Sequence, residues 1–279
     1  MIADFIITFR ETLEAALIVG IVLSYLKKTQ LTKYNNMVYM GIATGVIASI
    51  IGAILFNLLA GGFTGIAEQM FEGVVMLFGA FLLTTAIIWM MKQRHLSENI
   101  ERKIATSLNT AQKSGLFFIV FVSVLREGIE TVIFLRASSF VSGGNSLLLA
   151  SLGLIGAVLL GYLLFVTTVK IRLKLFFKIT SILLILFAAG LVAHGVHELQ
   201  EAQILPIYIE HVWDINPAVN ADGSFPLFHE KGLIGEFMKG LFGYNGNPSL
   251  IEVLSYLAYI ILVTFLWQNI NLTYVKARR

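Results

Sequence analysis

The sequence has no cysteine, which excludes disulfide bonds, thiolate metal sites and iron–sulfur ligation. Charged residues are also scarce, at 13% of the chain against roughly a quarter in soluble domains. Only four prolines occur in 279 residues, and all of them lie between positions 206 and 248. Hydrophobic residues make up 57% of the chain and form runs long enough to cross a bilayer, which takes about 20 residues. These features predict an all-α integral membrane protein.

Seven apolar stretches predict seven transmembrane helices within a single domain that covers residues 1–279. The four prolines fall in the one long connection, at about 200–249, which is predicted to be an outer loop. The stretches lie at about 4–26, 37–60, 70–91, 115–137, 147–169, 178–199 and 250–272.

Basic residues indicate the orientation of this bundle, because 15 of the 20 lysines and arginines lie on one side of it. The positive-inside rule makes that side cytoplasmic, with the N-terminus outside the cell membrane and the C-terminus in the cytoplasm. Charges placed in this way do not indicate nucleic-acid binding, although the net charge is +3. The residues concerned are Lys27, Lys28, Lys33, Lys92, Arg94, Arg102, Lys103, Lys113, Lys170, Arg172, Lys174, Lys178, Lys276, Arg278 and Arg279.

One charged motif occurs twice, since Arg10–Glu14 and Arg126–Glu130 both read Arg-Glu-x-x-Glu. In each case the next stretch carries small residues at four-residue spacing, which let helices approach closely. The first and fourth stretches run in opposite directions, so the sequence predicts two inverted three-helix repeats, at about 1–91 and 115–199. The seventh helix lies outside the repeat. The small residues are Gly41, Gly45, Ser49 and Ala53 in the second stretch and Gly153, Ala157 and Gly161 in the fifth.

The chemistry of the motif favours a site for a hard cation. Successive residues of a helix turn by about 100°, so the arginine and both glutamates of each motif share one face. Ionisable groups at this depth face the bundle interior, and carboxylate oxygens are the ligands that hard cations prefer. The predicted metal ligands are therefore Glu11, Glu14, Glu127 and Glu130, with Arg10 and Arg126 as fixed counter-charges. The structural alternative is a pair of buried salt bridges that hold two helices together.

A second group of candidate ligands lies at the outer end of the sixth stretch. His194, His197, Glu198 and Glu201 have the spacing 0, 3, 4, 7 of a single helical face, and they predict a metal-capture site there. The alternative is an ordinary polar helix end. Glu72, within the third apolar run, is a further candidate ligand on the same side. By contrast, Asp4 and Glu252 are expected to be solvated helix ends.

These residues resemble the oxidase-dependent iron permeases, a family that includes the fungal high-affinity iron permease and the bacterial Efe-type iron permeases. The resemblance rests on the two Arg-Glu-x-x-Glu motifs and on the stretch from His197 to Glu201, and it covers essentially the whole chain. It implies uptake of iron, usually Fe³⁺ from an extracytoplasmic oxidase or iron-binding partner. That partner would be a separate protein. The motif glutamates would be the iron ligands.

The sequence therefore predicts an iron-ion permease and not an enzyme, with iron as the transported substrate and no cofactor. Two alternatives stay open. The first is a permease for another metal cation, such as Mn²⁺ or Pb²⁺. The second is a membrane-bound enzyme with a di-metal carboxylate site. The inverted repeat favours transport, because alternating access uses such a repeat and catalysis does not need one.

Overall fold

A computed structural model describes residues 2–92, 113–144, 147–166 and 173–276 of the chain. Within these ranges the regular structure is entirely helical, with seven helices of 20 to 30 residues and one of 10. A short 3₁₀ turn, Thr32–Tyr34, joins the first two. The helices are α1 (Ile2–Lys28), α2 (Asn35–Ala60), α3 (Ile66–Lys92), α4 (Lys113–Ser142), α5 (Leu147–Val166), α6 (Leu173–Glu201), α7 (Leu233–Phe242) and α8 (Leu250–Lys276).

Each of the seven predicted stretches falls on one of the seven long helices. Five of these, α2, α3, α5, α6 and α8, are long and apolar enough to cross a membrane by length and composition. Both remaining long helices, α1 and α4, carry the charged motifs in their central turns. The chain is thus an all-α, multi-pass membrane protein. Residues 167–169 of the fifth predicted stretch lie outside the described residues, as do Arg94, Arg102, Lys103, Lys170, Arg172, Arg278 and Arg279.

Apolar side chains cover the outward faces of several helices, as a lipid-facing bundle requires. On α2, for example, Ile47, Ile50, Ile51 and Ile54 are each more than half exposed. A surface of this kind is unfavourable in water and is matched by lipid tails. A buried core lies among α1, α3, α4 and α6, and it includes both helices that carry the motifs.

The packing of the long helices keeps the same pattern when its two halves are exchanged. Helix α1 packs against α5, and α2 packs against α4; α3 contacts α6, and α1 contacts α4. If α1, α2 and α3 are exchanged with α4, α5 and α6, the α1–α5 contact becomes the α4–α2 contact. The α3–α6 and α1–α4 contacts stay the same. Helix α8 joins this arrangement through α6.

Close helix contacts occur at matching places in the two halves. A Cβ on Gly45 of α2 would lie 2.9 Å from Cβ of Val124, two residues before the α4 motif. Gly153 of α5 faces Thr8, which is two residues before the α1 motif, and a Cβ there would lie 2.5 Å from the Phe5 carbonyl oxygen. Neither approach leaves room for a larger side chain, which explains the small residues at these positions.

The predicted outer loop contains helix α7, which sequence analysis did not identify. Gly243 ends this helix in the left-handed conformation, at φ 68°. Gly243 packs against Gly190 of α6. Gly190 lies eleven residues before the end of α6, which is about 16 Å along the helix axis. Near it, Gly240 and Leu241 line a small cleft with Ala3 and Ile6 of α1. Helix α7 therefore folds back against α6 and packs beside the N-terminal end of α1.

The structure corrects two expectations about acidic residues at helix ends. Asp4 is not a solvated helix end: it is fully buried and accepts a hydrogen bond from Ser138 Oγ at 2.8 Å. Glu252 is only 2% exposed, because its carboxylate accepts hydrogen bonds from the segment that leads into α8. Both acids begin long helices: Asp4 is held by Ser138 of α4, which is distant in sequence, and Glu252 by Asn245 and Ser249, which directly precede α8.

Candidate metal centre

The α1 motif forms a compact ion cluster that is almost entirely buried. Arg10 Nη1 donates a hydrogen bond to Glu11 Oε1 at 2.8 Å, and Arg10 Nη2 lies 3.0 Å from Glu14 Oε1, one turn further along. The side chains of Arg10, Glu11 and Glu14 are 0%, 1% and 13% exposed. One guanidinium thus holds both carboxylates of its motif, as the shared helical face predicts.

The α4 motif has a different arrangement. Arg126 Nε donates to Glu130 Oε1 at 2.7 Å, and the guanidinium lies over the Trp89 ring, 4.7 Å from its centroid. Its side chain is 40% exposed, so this arginine lies at the edge of the site. No residue in the described ranges forms an ion pair with Glu127, although Glu127 is only 4% exposed.

The two motifs meet inside the bundle. One ligand oxygen from each of Glu11, Glu14 and Glu127 lies within 4.8 Å of the others. Glu130 is held by Arg126 beside this group. Gly128, between the two α4 glutamates, packs against Ser49 near the middle of α2. The three carboxylates therefore converge at mid-helix depth.

Three carboxylates of this cluster each keep one oxygen without a donor from the described residues. Oε2 of Glu11, Glu127 and Glu130 is buried in each case without a hydrogen-bond partner among the described residues. Two arginines and four glutamates leave a formal charge of −2 if all are ionised, which is unfavourable in a buried site without a cation. Hard cations lie about 2.0 to 2.6 Å from oxygen ligands, so ligands on opposite sides of one ion are about 4 to 5 Å apart. The separation of the three carboxylates suits one such ion.

The candidate ligands at the C-terminal end of α6 do not all converge on one position. His197 lies between two carboxylates, with Nε2 at 3.1 Å from Glu201 Oε1 and Nδ1 at 3.0 Å from Glu252 Oε1. Glu201 also accepts a hydrogen bond from Gln69 of α3 at 2.9 Å. His194, by contrast, is buried, and its Nδ1 is bonded to the Gly190 carbonyl at 3.0 Å.

Glu72 and Glu198 form a separate part of this outer region. Each lies within electrostatic range of other charged groups: Glu72 of Glu68 and Arg136, and Glu198 of Glu72 and Glu201. Helix α7 adds a cation, because Lys239 lies near Glu230, Glu252 and Glu198. Burial lowers the pKa of the Lys239 ammonium, an effect that the nearby Glu230 carboxylate opposes.

Sequence analysis missed Glu252 and Trp89 as parts of these sites. The spacing Ser249-x-x-Glu252 signals the start of a helix, but the partner of Glu252, His197, is 55 residues away in sequence. Trp89 and Arg126 are on different helices, and their contact has no local signal in the sequence.

Comparison with known proteins gives a consistent result. The family described as the iron permease FTR1 family matches residues 1–275. The ferrous iron permease EfeU of Yersinia pestis is 33% identical over 265 residues, which cover 94% of this chain and 91% of that protein. The ferrous iron permease EfeU of Escherichia coli O157:H7 is 34% identical over 271 residues, or 95% of each chain. No solved structure matches the chain.

Proposed function

This chain belongs to the iron permease FTR1 family, and from that membership we propose that it imports iron through the buried carboxylates of its two motifs. The observation that carries the proposal is the convergence of Glu11, Glu14 and Glu127 within 4.8 Å, at mid-helix depth in a membrane protein. A buried salt bridge needs one carboxylate for each arginine, whereas this cluster has two carboxylates for each. The excess acids provide ligands for a multivalent cation.

The proposed architecture is one transmembrane domain with seven spans, built from two inverted repeats at about 1–91 and 115–199. The unchanged packing pattern on exchange of α1, α2 and α3 with α4, α5 and α6 supports it. Gly45 and Gly153 support it as well, because each contacts the residue two positions before the motif on the helix it packs against. In such transporters, alternating access moves one repeat against the other around a site between them. The motif cluster lies on α1 and α4, the first helix of each repeat.

Transport into proteoliposomes tests the function directly. Vesicles that contain the purified protein are expected to accumulate radiolabelled iron, whereas empty vesicles and vesicles with the Glu127→Gln variant are not. Parallel uptake of Mn²⁺ and Pb²⁺ tests the other-metal alternative. Chemical turnover in detergent without uptake would instead support the di-metal enzyme. The protein fails as an iron permease if iron accumulation equals that of empty vesicles.

The same assay decides the oxidation state of the transported iron. The curated relatives carry the name ferrous iron permease, whereas the family resemblance predicts Fe³⁺ from a separate extracytoplasmic ferroxidase or iron-binding protein. Fe²⁺ under reducing conditions and chelated Fe³⁺ are therefore supplied in separate reactions. Faster uptake of Fe³⁺ supports the proposed partner, and faster uptake of Fe²⁺ removes the need for it.

The proposed orientation places the N-terminus outside and the C-terminus in the cytoplasm. The chain has no cysteine, so single cysteines report on topology without a background. A cysteine at the exposed Asn220 is expected to react with an impermeant thiol reagent added to whole cells. One at the exposed Thr29 is expected to react only after the cells are permeabilised. The reverse labelling pattern would invert the topology.

The outer-end residues His194, His197, Glu198, Glu201 and Glu72 are proposed to capture iron before it enters the bundle. Glu198→Gln and Glu201→Gln are expected to raise the half-saturating iron concentration about tenfold and to lower the maximal rate much less. A surface site sets local ion occupancy, whereas the motif carboxylates lie on the transport path. Initial rates over a range of iron concentrations measure both quantities. An unchanged half-saturating concentration in both variants would leave these residues as a polar helix end.

A further inference from the structure

The Glu252 carboxylate lies in the first turn of α8, and the residue is only 2% exposed. Both of its carboxylate oxygens accept hydrogen bonds. Oε1 accepts a hydrogen bond from the Ser249 backbone N at 3.1 Å, and Oε2 accepts one from Asn245 Nδ2 at 2.7 Å. In return, the Glu252 backbone N donates to Ser249 Oγ at 3.3 Å. This reciprocal capping box fixes the carboxylate at the first turn of α8.

The fixed carboxylate also contacts His197 of α6, with Oε1 lying 3.0 Å from Nδ1. An ionised carboxylate only accepts hydrogen bonds, so the imidazole donates from Nδ1. The other ring nitrogen, Nε2, then faces Glu201, whose Oε1 is 3.1 Å away. The His197 side chain is 44% exposed, so part of the ring is accessible to solvent, whereas its partner Glu252 is buried.

We infer that Glu252 is a positioning residue of the outer capture site, which holds the Nδ1–H of His197 so that Nε2 and Glu201 together meet an incoming iron cation. This inference rests on the proposed role of His197 and Glu201. Metal-binding histidines commonly donate their second N–H to a carboxylate, which sets the tautomer and the ring orientation. Glu252 is the carboxylate in that position for His197. It belongs to α8, and its hydrogen bonds at the start of that helix keep it in place.

Two variants separate positioning from helix capping. Glu252→Ala removes both functions. Ser249→Ala removes the Oγ that accepts from Glu252 N and also donates to Gln200 Oε1 at 2.8 Å, but it leaves the contact between Glu252 and His197. If Glu252 positions His197, Glu252→Ala is expected to raise the half-saturating iron concentration about 10- to 100-fold, while Ser249→Ala leaves it near the native value. Glu252→Gln keeps an acceptor for Nδ1–H and is expected to restore most of the affinity.

A double-mutant cycle tests whether Glu252 acts through His197. In the native background, Glu252→Ala weakens capture; in a His197→Ala background it is expected to change the half-saturating concentration by less than about twofold. Equal effects in the two backgrounds would overturn the inference. An equal loss of affinity in Ser249→Ala would overturn it as well, because capping would then account for the phenotype.

Co²⁺ binding provides a measurement that does not depend on transport. Spectroscopic titration of the purified protein with Co²⁺, in a Glu11→Gln/Glu127→Gln background that removes the central ligands, reports on the outer site. Glu252→Ala is expected to weaken Co²⁺ binding by the same 10- to 100-fold factor. Unchanged Co²⁺ affinity overturns the inference. Absence of iron uptake by the native protein instead contradicts the proposed function, and the Co²⁺ titration still tests Glu252.

Discussion

Replacing Glu127 by Gln is expected to abolish iron uptake while leaving the fold and the ion pairs of the motif cluster intact. Glu127 Oε2 is buried without a hydrogen-bond partner among the described residues, and the three ion pairs of the cluster involve Glu11, Glu14 and Glu130 instead. Glutamine keeps the size of the side chain but loses the charge that a hard cation requires. A loss of about 3 kcal/mol in ion binding corresponds to about 100-fold slower uptake at low iron concentration.

This variant separates the transport hypothesis from the salt-bridge hypothesis. If the motifs only hold α1 and α4 together, Glu127→Gln is nearly neutral, because it removes no ion pair. Glu210→Gln is the matched control, since it makes the same chemical change at an exposed outer position. Initial uptake rates in proteoliposomes and the thermal midpoint of each variant are measured together. Native uptake by Glu127→Gln would remove this residue from the ligand set.

The remaining motif residues are expected to be nearly as sensitive. Glu11→Gln, Glu14→Gln and Glu130→Gln should also stop uptake, but each breaks an ion pair and is therefore expected to lower the thermal midpoint as well. Arg10→Lys should fail for a different reason. The guanidinium of Arg10 reaches Glu11 and Glu14 through two separate nitrogens, and the compact lysine ammonium lacks this fork.

The long helices could be predicted from sequence, because each apolar run must satisfy its backbone hydrogen bonds internally in lipid. The shared face of Arg10, Glu11 and Glu14 also followed from local geometry, since residues one and four apart lie close together on a helix. The convergence of three of the four carboxylates did not follow. It depends on how α1 and α4 pack against each other, while Glu130 pairs with Arg126 of its own helix.

Helix α7 was missed for a compositional reason. It has only 10 residues, and its loop holds all four prolines, which indicate irregular structure. A signal was nevertheless present. Leu233, Ile234, Phe237, Met238 and Leu241 recur at helical spacing, and Gly243 follows as a helix stop. Its position against α6 could not be inferred, because that position depends on the contact between Gly243 and Gly190.

The contact between Gly190 and Gly243 predicts a second variant with a large effect on uptake. Gly190→Leu is expected to displace α7 from the outer end of α1 and to reduce iron uptake severely. A Cβ on Gly190 would lie 2.5 Å from the Gly243 Cα, and backbone at that distance cannot move aside as a flexible side chain can. Overpacking of this kind typically destabilises by about 1 to 3 kcal/mol. Opening of α7 should then be roughly 5-fold to 150-fold more frequent.

A cysteine at Ala3 measures this opening. Ala3 is 2% exposed and lies beside Gly240 and Leu241, so Ala3→Cys should be protected from an impermeant thiol reagent while α7 is in place. Adding Gly190→Leu is expected to raise its labelling rate by the factor given above. Gly52→Leu is the matched control, because it makes the same change in a helix where a Cβ meets nothing within 4 Å. Equal labelling in the Gly190→Leu and Gly52→Leu backgrounds would show that α7 does not seal the start of α1.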